Sequence, residues 1–290
     1  MKIFFIPFFF FLVIPKGFGQ EPGFQFSVDW ERREISAAVS LHLPPLGIGL
    51  PTGRSRGEER IAAEYPRLIR PRLLSVSVDS SATLGDLIDR GELPLSFPAE
   101  IALSAQRIPP VLSPDLEFMS GRYTISLNTL GSALLRHRRP AEIDRTLIPV
   151  PAASYTGIII IANEELPVHG RNTRALPLPC LFPKLWDTDM NLVYERNMLE
   201  AEIGQSRGMI RYVSEGAVFR PTPSGLEGDL ADLVGPNPLR IIAREVFGNR
   251  PTDPVIDRSD ALLILAAEGN RRLLREGRVV LVLHKDVLVE

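Results

Sequence analysis

The chain has 290 residues, a formal net charge of −2, and 44% apolar and 23% charged residues, an ordinary globular composition that excludes disorder for most of its length. This near-neutral balance argues against nucleic acid as a partner. A single cysteine, Cys180, excludes both an internal disulfide framework and a cysteine-based zinc site.

The first nineteen residues combine Lys2, an apolar run from Ile3 to Pro15, and small residues at Gly17 and Gly19, the three-part pattern of a secretory signal. The run is too short for a membrane helix, which takes about twenty residues. A cleaved signal is therefore the reading, with a retained anchor as the alternative, because Pro7 and the lack of alanine near the cleavage point depart from the pattern. Cys180 is far from the cleavage point, so no cysteine is placed there to carry a lipid. The expected mature chain begins near Gln20, is periplasmic or secreted, and has no transmembrane segment.

Phe24, Phe26, Val28 and Trp30 alternate with Gln25, Ser27 and Asp29, which predicts a β-hairpin over 24–41, although its turn carries no glycine. Ile61, Tyr65, Leu68 and Ile69 predict a helix over 58–74, broken or kinked at Pro66 and Pro71. Thr83 and Asp86 predict a short capped helix over 83–90. A strand is expected over 117–127, with Phe118, Tyr123, Ile125 and Leu127 buried. The proline-bearing stretch 140–153 lacks a clear period and places a boundary between an N-terminal α+β region (20–140) and a C-terminal α+β domain (154–290).

Four isoleucines at 158–161 predict a central strand buried on both faces. Segments 181–186 and 192–194 read as a second hairpin, and 209–213 and 239–247 as further strands. Near the end, Ser259 and Asp260 are placed to cap a helix with Leu262, Leu265, Ala266 and Leu273 as its apolar stripe. Arg271, Arg272 and Arg275 favour its negative end, and Gly277 stands at the left-handed C-cap before a buried strand over 279–283. The fold class is α+β in two lobes, the C-terminal lobe a mixed sheet packed by that helix.

The order Tyr155-Thr156-Gly157 with the isoleucine run, then Leu181-Phe182-Pro183-Lys184-Leu185-Trp186-Asp187, then Leu192-Val193-Tyr194, resembles the core of a secreted bacterial family. That family includes flagellum-associated outer-membrane lipoproteins and uncharacterised spirochaetal envelope proteins. Asp257 to Ala261 leading through to Arg278-Val279-Val280 resembles its ending, so the likeness covers roughly residues 154–285. The lipid-bearing cysteine of the lipoprotein members is absent, and Ala162-Asn163-Glu164-Glu165 departs from the Asp-Ala-Arg-Gly pattern associated with the family. The resemblance implies a structural or assembly role in the envelope.

Asp187, Asp189 and Asn191 have the spacing of the first three ligands of a calcium loop. Leu192 and Met198 stand where that loop needs glycine and a bidentate carboxylate, so Asx residues at a hairpin turn are the competing explanation. The four histidines, His42, His137, His169 and His284, have no zinc-site spacing, and His169 is the one singled out for test. Asp79-Ser80-Ser81 lacks a nucleophile elbow and reads as a helix cap, while Cys180 reads as a buried small hydrophobe. Glu142, Asp144, Glu164 and Glu165 offer carboxylates that nothing in the sequence pairs.

The reading is an exported, non-enzymatic envelope protein with no cofactor, acting as an assembly or interaction module with protein partners, or with a second copy of itself. The alternative is a periplasmic hydrolase or small-ligand-binding protein with a site between the lobes near the 163–180 loop. Exposed strand edges and a flat apolar patch would favour the first, and a deep cleft lined by convergent carboxylates or histidines the second.

Overall fold

The computed structural model describes residues 22–46, 53–146, 151–218 and 228–290, so the expected export signal lies outside the described residues. The opening alternation becomes an antiparallel hairpin in which β1 (Gly23–Asp29) pairs with β2 (Glu34–His42), Val28 standing opposite Ile35. With no glycine in the turn, Arg33 itself takes the left-handed backbone, at φ 58°. β3 (Gln106–Leu112) and β4 (Phe118–Ser126) complete an antiparallel sheet in the order β1-β2-β4-β3.

The expected inward set on β4 needs one correction. Met119, Tyr123 and Ile125 are buried, but Phe118 differs from them by an odd step and lies on the opposite face. There it stacks on His42, ring centroids 4.6 Å apart. Leu127 is buried as expected, but as the first residue of a helix.

One helix, α1 (Arg54–Leu74), runs across the inner face and contains both Pro66 and Pro71. The expected break is absent because Ile61, Tyr65, Ile69 and Leu73 recur every four residues and are all buried. Burying the three aliphatic members contributes roughly 5–9 kcal/mol, which offsets about 3 kcal/mol for each interior proline. Tyr65 stacks on Tyr123 at 3.7 Å. The lobe is completed by α2 (Leu84–Asp89), α3 (Phe97–Leu103) and α4 (Leu127–Leu134).

The cap of α2 is the capping box that Thr83 and Asp86 predicted: Asp86 N–H donates to Thr83 Oγ1 at 3.2 Å and Thr83 N–H to Asp86 Oδ2 at 2.7 Å. Thr83→Ala is expected to lower stability by about 1 kcal/mol, read as a fall in the urea midpoint with an unchanged m-value.

In the C-terminal lobe the isoleucines form β5 (Ile158–Ala162), with β6 (Leu166–Pro167) and β7 (Arg174–Ala175) as a short ladder after it. The second hairpin is β8 (Leu185–Asp187) with β9 (Leu192–Tyr194), and only the end of the expected 181–186 strand takes part. Then come α5 (Ala201–Arg207), β10 (Arg211–Ser214), α6 (Glu215–Val218) and α7 (Gly228–Val234).

The expected strand 239–247 divides into β11 (Leu239–Ile242) and β12 (Glu245–Phe247), which belong to different sheets. The switch occurs where Ala243 N–H bonds Ile161 O at 2.9 Å and the next residue, Arg244, bonds Val255 O at 2.8 Å. β13 (Asp253–Ile256) precedes the terminal helices, and β14 (Val279–Leu283) follows them. One sheet is parallel, in the order β10-β14-β5-β11, with Ile158 level with both Val279 and Leu239; the other is mixed, in the order β12-β13-β8-β9. β5 is therefore the interior strand that its composition predicts.

The single helix expected over 259–276 is two, α8 (Arg258–Ala266) and α9 (Glu268–Arg275), separated at Ala267 by an extended backbone (φ −102°, ψ 133°). Two side chains from α9 bond carbonyls of α8: Arg271 donates to Leu265 O and Asn270 Nδ2 to Leu263 O at 2.9 Å. Arg271, read with Arg272 and Arg275 as favouring the negative helix end, is buried and paired with Glu268. Ala261 and Ile264 are the buried positions of α8, with Leu262, Leu265 and Ala266 only half-buried. Gly277 closes α9 as predicted, at φ 60°, with its N–H on Leu274 O at 3.0 Å and that of Arg278 on Leu273 O at 2.9 Å.

The molecule is thus α+β and two-lobed, and one apolar core runs through both lobes from Val28 and Ile61 to Ile160 and Leu281. A smaller cluster, including Ile159, Val213, Val234 and Val280, covers the other face of the parallel sheet. Among the described residues no helix is long and apolar enough to cross a membrane.

Candidate functional site

Asp187, Asp189 and Asn191 do not point at a common centre. Asp187 Oδ1 accepts from the backbone N–H of Asp189 at 3.0 Å and of Asn191 at 2.8 Å, and Asn191 Nδ2 donates to Oδ2 at 2.9 Å. Asp189 turns outward to pair with Arg258. This is an Asx turn tying the β8–β9 hairpin. Among the described residues no group of three or more His, Cys, Asp or Glu side chains is arranged to hold a metal ion.

The histidines stand apart from one another. His42 stacks on Phe118, His137 Nε2 lies 2.7 Å from Leu199 O, and His284 lies 3.5 Å from Asp286. His169 has a partner that its sequence neighbourhood could not show: its Nδ1 is 2.6 Å from Glu245 Oε2. Asp79 Oδ1 accepts from Ser81 N–H and Oγ, both at 2.8 Å, and from Ala82 N–H at 2.9 Å, so this serine cluster is a turn. Glu142, Asp144, Glu164 and Glu165 are exposed on two separate segments.

Cys180 is fully buried, and burial pushes its thiol well up, so the protonated form is the stable one. Its backbone carbonyl and N–H both meet the Tyr212 hydroxyl, at 2.8 and 3.1 Å. This belongs to a polar seam between the lobes. Ser77 O accepts from Leu181 N–H at 3.0 Å, Val78 O from Phe182 N–H at 2.8 Å, and Ser80 O from Arg250 N–H at 3.1 Å. At its centre is Asp253, which accepts from Lys184 N–H at 3.1 Å, Thr252 Oγ1 at 3.0 Å and Trp186 Nε1 at 3.4 Å, and from the Ser80 hydroxyl. Burial outweighs these donors and raises the Asp253 carboxyl above its ordinary range. The seam is structural, because its polar atoms are spent on one another.

The other distinctive surface is the outer face of the N-terminal sheet. β4 alternates between buried and exposed positions, so Ser120 and Arg122 face outward, and the pairing puts Ile108 beside Arg122 and Val111 beside Ser120. Ser36, Ala38 and Ser40 share that face on β2, opposite Thr124, Arg122 and Ser120, and the stacked His42 and Phe118 rings lie on it too. Seven large apolar side chains among the described residues are exposed, and five of them (Leu95, Leu103, Ile108, Val111, Leu116) fall on α3, β3 and the turns beside them.

Leu116, 54% exposed, has a left-handed backbone at φ 61°. Its turn is closed by Leu116 N–H to Ser113 O at 2.9 Å and Phe118 N–H to Ser113 Oγ at 2.9 Å. A β-hairpin normally places glycine at such a position. The final part of the β1 edge is paired with residues 288–290, Trp30 N–H bonding Leu288 O at 2.9 Å and Val28 N–H bonding Glu290 O at 3.0 Å. The β3 edge carries Pro109 and Pro110, which have no N–H to offer an added strand.

Residues 21–133 match the model of the N-terminal domain of Treponema pallidum Tp0624, and residues 157–285 match that of its second domain. No curated protein matches the chain. The two matches cover most of the chain, in domain order, and place it in a spirochaetal protein family that includes these Tp0624 domains.

Proposed function

We propose that this chain is an exported, non-enzymatic module of the cell envelope, working in assembly at the outer membrane or flagellum, and that it docks a protein partner on the outer face of its N-terminal sheet. The observation that carries this reading is Leu116, a leucine held exposed in a backbone conformation that costs about 1–2 kcal/mol for a residue with a Cβ. Strain kept at an exposed apolar side chain is what a contact residue requires and what a stabilising turn would avoid. Ile108 and Val111 extend the apolar surface along β3, and the prolines direct a partner to side chains rather than to the strand edge.

The test separates stability from binding. Leu116→Gly is expected to stabilise the fold by about 0.5–1 kcal/mol by relieving the left-handed leucine. It is also expected to lower partner recovery from envelope fractions at least fivefold, and Val111→Arg to do the same without changing stability. Equal recovery by wild type and both variants, or a co-purifying small molecule with no protein partner, would overturn the reading.

A further inference from the structure

A cleft of about 500 Å³ opens between the lobes, away from the 163–180 loop, where the β1–β2 turn meets β10 and α7. Four arginines line it: Arg32, which pairs with Asp29, and Arg33 at the hairpin turn, Arg207 at the end of α5, and Arg211 at the start of β10. Arg33 is fixed, its Nε donating to Asn128 Oδ1 at 2.7 Å and its Nη1 to Ile210 O at 3.0 Å. Arg207 donates one Nη to Glu276 O at 2.9 Å. Arg33, Arg207 and Arg211 form no ion pair with a carboxylate of a described residue, although Glu31, Asp229 and Asp232 line the same cleft and Glu31 accepts from Ser214 N–H at 3.1 Å.

The Arg33 guanidinium is pulled down to about 10, chiefly by burial, with the like charge of Arg211 adding to it. Held cations with no carboxylate in direct contact raise the energy of the empty site, and an anion would relieve it. Guanidinium forks match the two-oxygen edge of a phosphate or carboxylate.

We propose that this inter-lobe cleft binds the single oxyanion head, phosphate or carboxylate, of a small ligand between Arg33, Arg207 and Arg211. The three carboxylates, Glu31, Asp229 and Asp232, disfavour a polyanion and leave room for one compact anionic group. This site is independent of the docking face on the N-terminal sheet.

The test is a titration of the full chain with inorganic phosphate, and separately with acetate, at fixed ionic strength, followed by heteronuclear NMR. Saturable shifts at residues around the cleft are expected with at least one of the two anions, and which one saturates identifies the head group. Arg211→Gln, whose side chain holds no described residue in place, is expected to weaken that binding roughly tenfold. The exposed Arg240→Gln on β11 is expected to leave it unchanged. Linear, non-saturating shifts with both anions, or equal affinity in wild type and Arg211→Gln, would overturn the proposal.

Discussion

Asp253→Ala is expected to destabilise the fold by about 3–5 kcal/mol, a large part of the 5–15 kcal/mol that holds a typical domain together. The carboxylate is fully buried and collects donors from both lobes: Lys184 N–H, Thr252 Oγ1 and Trp186 Nε1 on its own side, and the Ser80 hydroxyl across the seam. Alanine leaves those donors without an acceptor, and each such buried group costs about 1–3 kcal/mol. Asp253→Asn keeps one oxygen acceptor and should lose about half as much.

The two variants also separate in their pH dependence. Burial raises the folded carboxyl above its unfolded value of about 3.9, so the folded state holds the proton more tightly. Stability from this group is therefore greatest below the unfolded value and falls as pH rises through the raised folded value. Asp253→Asn should remove that slope from urea unfolding measured between pH 4 and 8, and an unchanged slope would assign it to other groups.

Gly208→Ala is expected to cost about 3 kcal/mol, through the joint between the lobes rather than through a core. Gly208 has φ 76°, where any Cβ is strained, and an added Cβ would lie 2.0 Å from Arg33 Nη2 and 2.6 Å from its Cζ. The strain accounts for about 1–2 kcal/mol. The guanidinium must also move, giving up its bonds to Asn128 and Ile210 O. Arg33→Ala in the same background distinguishes the parts: if the clash dominates, adding it to Gly208→Ala should cost little more than the glycine change alone. Additive losses in a thermal-unfolding cycle would show that the two residues act separately.

The elements legible in the sequence are those specified by neighbours. Thr83 with Asp86, the isoleucine run of β5 and Gly277 before β14 each carry their signal within a few residues, and each forms as read. Features set at long range were not legible. The chain between Ile242 and Glu245 changes sheets because Ile161 O accepts from Ala243 N–H and Val255 O from the next N–H, that of Arg244, and neither partner is near in sequence. The terminal helix breaks because Arg271 and Asn270 fold back onto α8, which helical spacing alone cannot foresee. Prolines 66 and 71 were read by their local cost, and the four-residue stripe that outweighs it acts only once the sheet is beneath it.

The same division holds for the sites. The Asx pattern at Asp187 was visible and resolves as a hairpin turn, whereas the arginines of the cleft come from segments more than 170 residues apart. The one local signal for the docking face was Ser113-Pro114-Asp115-Leu116, a turn sequence with leucine where glycine is usual.

The most direct test of the central claim is site-specific photo-crosslinking in envelope fractions, with the photoreactive residue placed at 116, at 111, or at the exposed control position 240. The account predicts the same protein adduct from 116 and 111 and none from 240. Adducts of equal yield from all three positions, or none from 116 and 111, would contradict it.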